Sequence, residues 1–299
     1  MMSPLKPLDI MRNYTQELQP IGTSAKPKLK KLKNIKALIF DIYGTLFQSA
    51  AGDISLASKN GKVEREKIVR DCLDAVGFMI NDDKTEMAEL YLDTIRAEQD
   101  IKRDSGVAYP EVDILDVWED LLGQLEAYEL IKGRVTRKKL ELLAIYYEVK
   151  MNPCYPMPGV LDVLEQALDK RLYLGVISNA QMYTPLLFEA FFEDDMEALG
   201  FEDMLCIWSY EHGMAKPGRE LYEICAERLL ALDDVRPNQV LYIGNDMRND
   251  IWPASEIGFK TGLFAGDERS YRKRKGDKDV AHVKPDIVIT ELEQIAECL

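Results

Sequence analysis

Four polar clusters interrupt an otherwise apolar patterning: Asp41-Ile42-Tyr43-Gly44-Thr45-Leu46-Phe47, Ser178-Asn179, Lys216-Pro217 and Gly244-Asn245-Asp246-Met247-Arg248-Asn249-Asp250. Their side chains include the carboxylates of Asp41, Asp246 and Asp250, the ammonium of Lys216 and the hydroxyls of Thr45 and Ser178. Carboxylates attack electrophiles covalently or take hard cations as oxygen ligands. A lysine adds a positive point charge, and hydroxyls and backbone N–H groups donate to an anionic group in transfer. Each residue also has an ordinary role: Thr45 capping a turn, Ser178-Asn179 closing a strand, Lys216 on the surface, Asp246 and Asp250 capping a helix. Gathered at one edge, three carboxylates repel strongly unless a cation sits among them.

The elements that would gather them are legible. Ile35-Lys36-Ala37-Leu38-Ile39-Phe40 is a mostly apolar run that stops at Asp41, as a buried parallel strand does. Leu172–Ile177 stops at Ser178 and Val240–Ile243 at Gly244, and Met204–Trp208, Lys260–Phe264 and Ile287–Ile289 are further strands. Helical spacing covers Val160–Asp169, Leu186–Phe192, Arg219–Ala231, Asn249–Ile257 and Glu291–Cys298. Strands alternating with helices predict an α/β fold, a doubly wound, Rossmann-like parallel sheet that binds ligands beyond its C-terminal strand ends. Residues from about 50 to 150 differ. Apolar residues at helical spacing fill Val63–Val76, Met87–Ile95, Ile114–Leu125 and Leu140–Tyr147, with Asp82 or Asp83 expected to cap the second helix and no strand read. The expected division is a polar extension at 1–34, a core at 35–49 and 154–299, and an inserted all-helical cap at 50–153.

Composition removes other classes. The net charge of −14 over 299 residues repels nucleic acid and anionic membranes. Two basic stretches, Lys26–Lys33 and Arg269–Lys275, are expected to be a solvated tail and a solvated loop. The five scattered cysteines form no CxxC pair, which predicts a reduced, cytoplasmic chain without disulfides or structural zinc. His212 and His282 lack ligand spacing and are expected to be solvated. No apolar run approaches the ~20 residues that span a bilayer, and no secretory signal is read in the charged N-terminus. The expected partner is a small molecule; oligomeric state is not readable.

In this order and at one sheet edge, the four clusters resemble the haloacid dehalogenase (HAD) superfamily over about residues 35–299. The helical insertion resembles that superfamily's C1 cap, and Pro156-Met157-Pro158-Gly159-Val160 its return to the core. The resemblance implies Asp41 as nucleophile, with Thr45, Ser178 and Lys216 completing the catalytic set and Tyr43, Gly44 and Asn179 beside the substrate. It implies Mg²⁺ held by Asp41, the Tyr43 carbonyl, Asp246 and Asp250, and a phosphatase acting on a small phosphorylated metabolite.

Two departures bear on that expectation. Tyr43 stands where HAD phosphatases carry a second Asp that protonates the leaving oxygen and then activates water. The L-2-haloacid dehalogenases share the Asp-x-Tyr-Gly-Thr-Leu-Phe start, and their halide leaves without a proton or a metal. Tyr222, after Lys216, also resembles their pattern; the Asp246/Asp250 acid pair instead favours a metal. The second departure is Asn245, where many HAD phosphatases place an acid directly after Gly. The alternatives to a phosphatase are therefore a metal-independent dehalogenase-like hydrolase and a catalytically weak binding or regulatory protein. Within the cap, Arg96, Arg103, Tyr109 and Trp118 are substrate candidates by type alone, with helix-face or core roles expected.

Overall fold

The computed structural model describes residues 6–51, 61–82 and 84–299. Six parallel strands form its main sheet: β1 (Ala37–Phe40), β2 (Tyr173–Ser178), β3 (Phe201–Trp208), β4 (Val240–Gly244), β5 (Lys260–Phe264) and β6 (Ile287–Ile289). Their order is β6-β5-β4-β1-β2-β3. The first strand thus lies between β4 and β2, and the winding reverses there, which opens a crevice at the C-terminal end of β1. Phe40 is level with Val176 on one side and Ile243 on the other, so Asp41, Ser178 and Gly244 emerge close together.

Burial on both faces explains the apolar run. Leu38 and Phe40 join a cluster that continues into the helical insertion, while Ala37 and Ile39 join the cluster on the opposite face. Around the sheet pack α6 (Val160–Asp169), α7 (Leu186–Phe192), α8 (Glu220–Asp233) and α9 (Trp252–Ile257), numbered after the N-terminal α1 (Pro7–Tyr14) and the four insertion helices α2 (Lys62–Ala75), α3 (Met87–Asp104), α4 (Ile114–Ala127) and α5 (Arg137–Met151). The chain leaves and re-enters the core through an antiparallel ribbon, Phe47–Ser49 against Cys154–Pro156.

Several local expectations are corrected. The insertion does contain strand pairing, Met79–Ile80 against Ile131–Lys132, too short for alternation to register. Asp82 does not cap α3; it accepts from the N–H groups of Lys84 and Thr85 in a turn before it. Asp83 lies outside the described residues. The helix expected at 249–257 begins as a π-type turn over Met247–Ile251, capped by Asp246, which accepts from Arg248 N and Asn249 N. The last helix is a short 3₁₀ turn followed by Ile295–Cys298.

The lead-in packs against the core in places, while Lys26, Lys28, Lys30, Lys31 and Lys33 stay exposed as expected. Ile10 and Met11 of α1 are buried, Arg12 donates to the carbonyls of Ala190 and Glu189, and Lys28 pairs with Val288 at the sheet edge. His282 is exposed, as expected, but His212 is half-buried at the end of the short helix Ser209–His212, its Nε2 without a hydrogen-bond partner among the described residues. Trp118 is fully buried in the insertion's core, and Arg96 and Arg103 pair with Asp93 and Asp100 on the surface of α3. All five cysteines are unpaired and buried. Among the described residues no helix is long and apolar enough to cross a membrane.

Candidate active site

Asp41 takes the first position beyond β1, where its N–H donates to Ile243 O. Two groups converge on it, Ser178 from the end of β2 and Lys216 from the loop before α8: Ser178 Oγ donates to Asp41 Oδ1 at 3.0 Å and Lys216 Nζ at 2.6 Å. Lys216 also reaches Asp250 Oδ1 at 2.7 Å, so one ammonium bridges two carboxylates. Asn179 positions this lysine: its Oδ1 accepts from Lys216 N at 2.7 Å and its Nδ2 donates to Lys216 O at 3.2 Å. The sequence expectation put Asn179 beside the substrate; here its side chain is a strut behind the cation.

One ammonium serves two carboxylates within this cluster. Burial opposes the ammonium of Lys216, but Asp250 and Asp41 outweigh it and hold the group above the ordinary lysine range. Burial pushes the carboxyl of Asp250 up to about 6, against the pull of Lys216. Asp250 is further tied by Tyr242 OH at 3.0 Å from Oδ1 and by Asp246 N, which donates to Oδ2 at 2.9 Å. Tyr242 is a site residue that sequence reasoning missed. It sits inside the apolar strand β4, and only the register of β4 against β1 brings its hydroxyl to Lys216, at 3.2 Å.

The loop after β1 is held close to the Asp246 segment. Gly44 has φ +85°, and a Cβ there would lie 2.4 Å from Ser270 Cβ and 2.6 Å from Asn245 Nδ2, so only glycine fits. Thr45 donates to Asn245 Oδ1 at 3.3 Å rather than to Asp41, and Asn245 Nδ2 donates to Ser270 O at 2.7 Å. Tyr43 turns away: its hydroxyl lies 2.8 Å from Thr184 Oγ1. Burial pushes that phenol well above the ordinary tyrosine range, and the Glu148 carboxylate adds to the shift. It does not replace an acid–base carboxyl near neutral pH. Tyr222 likewise stays behind the site, its hydroxyl on Asn249 O at 2.8 Å.

Asp246 points elsewhere. Arg274 clamps it with two nitrogens, Nε at 3.0 Å from Oδ1 and Nη2 at 2.5 Å from Oδ2. The expected solvated loop at Arg269–Lys275 is therefore a structured part of the site. Arg272 N donates to Asn245 O and Met247 N to Arg272 O, each at 2.9 Å, while Arg269 pairs with Asp267 and donates to Gln48 Oε1.

Such carboxylates raise the question of a divalent ion, and as folded the side chains of Asp246 and Asp250 are not open to one. Asp246 is held by Arg274, both oxygens of Asp250 have partners, and Asn245 faces Ser270. Among the described residues no three His, Cys, Asp or Glu side chains are grouped to hold a metal ion. The cations that relieve the repulsion of the three acids are Lys216 and Arg274.

The helical insertion closes on the core beside Lys216. Ala215 N donates to Tyr109 O at 2.8 Å and Glu111 N to Gly213 O at 3.0 Å. Gln181 bridges the same loop, donating to Val112 O and accepting from Ile114 N, each at 2.9 Å. Glu111 accepts from Ser209 Oγ at 2.8 Å, and burial raises its carboxyl above the usual range.

Known proteins resemble this chain in sequence and in fold. The sequence pattern of the haloacid dehalogenase-like hydrolases matches residues 35–258. The glyceraldehyde 3-phosphate phosphatase of Methanocaldococcus jannaschii is 24 % identical over 233 residues, 76 % of this chain and 83 % of that protein. The ribulose-1,5-bisphosphate 5-phosphatase of Halopiger xanaduensis is 23 % identical over 154 residues, 51 % of this chain and 60 % of that one. In fold, the chain resembles the crystal structure of 2-haloacid dehalogenase from Pseudomonas syringae pv. Tomato DC3000, with a TM-score of 0.53 and 20 % identity over 88 % of this chain and 97 % of that one.

Proposed function

The chain belongs to the haloacid dehalogenase-like hydrolases, and from that membership we propose that it hydrolyses a small phosphate monoester through Asp41. The observation that carries the reading is the asymmetry at Asp41. Among the described residues, both hydrogen bonds to its carboxylate fall on Oδ1, from Ser178 and Lys216, and Oδ2 is left to attack. In the proposed reaction, Oδ2 bonds to phosphorus as the bond to the leaving oxygen breaks. Water then cleaves the aspartyl phosphate, releasing phosphate and regenerating the carboxylate. Lys216, fixed at 2.6 Å, offsets the charge that two meeting anions bring together, and Ser178 orients the nucleophile. The relatives named as phosphatases support the choice of a phosphate ester. Five buried, unpaired thiols support the cytoplasm as the compartment.

No step is routed through Mg²⁺, because Arg274 and Lys216 hold Asp246 and Asp250, two of the acids that the family resemblance assigns to it. The missing acid at Tyr43 restricts the substrate. General acid help is worth about 10²–10⁴ in rate, so esters whose leaving group departs without a proton suffer least. Tyr43→Asp is expected to raise alkyl-phosphate hydrolysis more than aryl-phosphate hydrolysis; equal gains on both would sink this account of Tyr43.

The test is phosphate release from a panel of phosphorylated metabolites and one aryl phosphate, with Mg²⁺ and with chelator, for wild type beside Asp41→Asn. Release that depends on Asp41 supports the proposal, and silence across the panel overturns it. A second reading follows from Tyr43 and from the side-chain cations that neutralise the site's acids: metal-independent hydrolysis of a carbon–halogen bond. Chloride release from a 2-chloro acid in the presence of chelator would establish it. Silence in both assays leaves a binding role for the fold.

A further inference from the structure

Two basic stretches far apart in sequence meet at one cavity. Lys26 arrives from the lead-in, Lys273, Arg274 and Lys275 from the loop after β5, and Lys284 from the approach to β6; all five line a cavity of about 390 Å³. Its inner wall is apolar, with Met247, Leu263 and Val280 buried there. The acid that lines it, Asp277, is already taken by Arg248 at 2.7 Å. Five cations gathered on a chain of net charge −14 are a marked local reversal of sign. The backbone is also bent to build this arrangement: Arg274 has φ +49°, the left-handed region that non-glycine residues adopt at a cost. That turn lets one guanidinium line the cavity and still clamp Asp246.

We propose that this cavity binds a small amphipathic anion carrying a phosphate or phosphonate group, and that Arg274 links it to the site through Asp246. The cations take the anionic group and the apolar wall takes a ring or short chain, the usual division of labour in a small-molecule pocket. An anion in the cavity competes with Asp246 for the same guanidinium, so binding there changes the charge facing the site, and the coupling is reciprocal. A long polyanion is disfavoured by the chain's overall charge. The proposal does not depend on which reaction Asp41 performs, because it is read by binding rather than by turnover.

The experiment is calorimetric titration of the full chain with phenylphosphonate, whose carbon–phosphorus bond resists hydrolysis, and with methylphosphonate. The variants are Lys26→Gln/Lys273→Gln/Lys275→Gln, three exposed lysines outside the Asp41 cluster, and Arg274→Gln. Phenylphosphonate is expected to bind several-fold more tightly than methylphosphonate. The triple variant is expected to weaken it by about tenfold or more, and Arg274→Gln to weaken it less. Unchanged affinity in the triple variant places the probe elsewhere and overturns the proposal, as does absence of binding to wild type. A short RNA that binds through these lysines more tightly than phenylphosphonate would overturn the choice of a small ligand.

Discussion

Lys216 and Arg274 neutralise acids of the same site in two different settings. Lys216 is 4 % exposed and joins Asp41 and Asp250, whose side chains are 7 % and 2 % exposed. Arg274 leaves 32 % of its side chain in solvent, although the Asp246 side chain it holds is itself only 8 % exposed. The first is a closed unit in which each charge depends on the others, because a buried charge without its partner is costly. The second can exchange partners at less expense, because water reaches Arg274 and Asp246 keeps the N–H groups of Arg248 and Asn249. One end of the site is therefore rigid by electrostatic necessity and the other is replaceable.

Asp41→Asn should have the largest effect on activity, reducing turnover to background while Asp250 still pairs with Lys216; retained turnover would remove Asp41 from the chemistry. Lys216→Met should have the largest effect on stability, costing about 3–5 kcal/mol by denaturant unfolding, since it strands two buried carboxylates. Asp250→Asn comes next and is best read against pH. The folded Asp250 carboxyl, raised by burial to about 6 from an ordinary value of 3.8, holds its proton more tightly than the unfolded chain does. On its account, stability falls as pH rises between about 4 and about 6. The asparagine variant should lack that slope, and identical pH–stability curves would show that the Lys216 bridge offsets the burial completely. Arg274→Gln should cost less than Lys216→Met, about 1–3 kcal/mol, since Asp246 is buried but keeps two backbone donors. It should also release Asp246, so that added Mg²⁺ raises the thermal midpoint of the variant more than that of wild type. An equal response to Mg²⁺ would make the arginine clamp as closed a unit as the lysine bridge.

The same contrast explains what was legible in the sequence. Asp41, Ser178 and the Gly244–Asp250 segment announce themselves because each ends an apolar run, and parallel strands deliver their ends to a common edge. Lys216 comes from a loop, with no apolar run to announce it, and its ammonium reaches Asp41. Tyr242 was hidden because a tyrosine in a buried strand reads as core, and whether its hydroxyl meets a charge depends on register with a strand two hundred residues earlier. Arg274 was hidden more deeply. Its loop has no periodicity, its neighbours are also basic, and its role depends on a left-handed turn and on two backbone hydrogen bonds to the Asn245–Met247 segment. The packing of the lead-in escaped for a related reason: α1 contributes just two fully buried apolar side chains, Ile10 and Met11, too few to outweigh its polar composition.

The pairing of Lys28 with Val288 has a consequence for the behaviour of the protein in concentrated solution. β6 is an outer strand of three residues, and Val288 is the one whose backbone faces away from β5. Lys28 takes both of its polar groups, donating to Val288 O at 2.8 Å and accepting from Val288 N at 3.1 Å. A strand edge sealed in this way offers nothing for a second molecule to extend. Trimming the chain to residue 35 would bare that edge together with the apolar surface under α1. The shortened protein is expected to self-associate and scatter light at concentrations where the full chain stays clear.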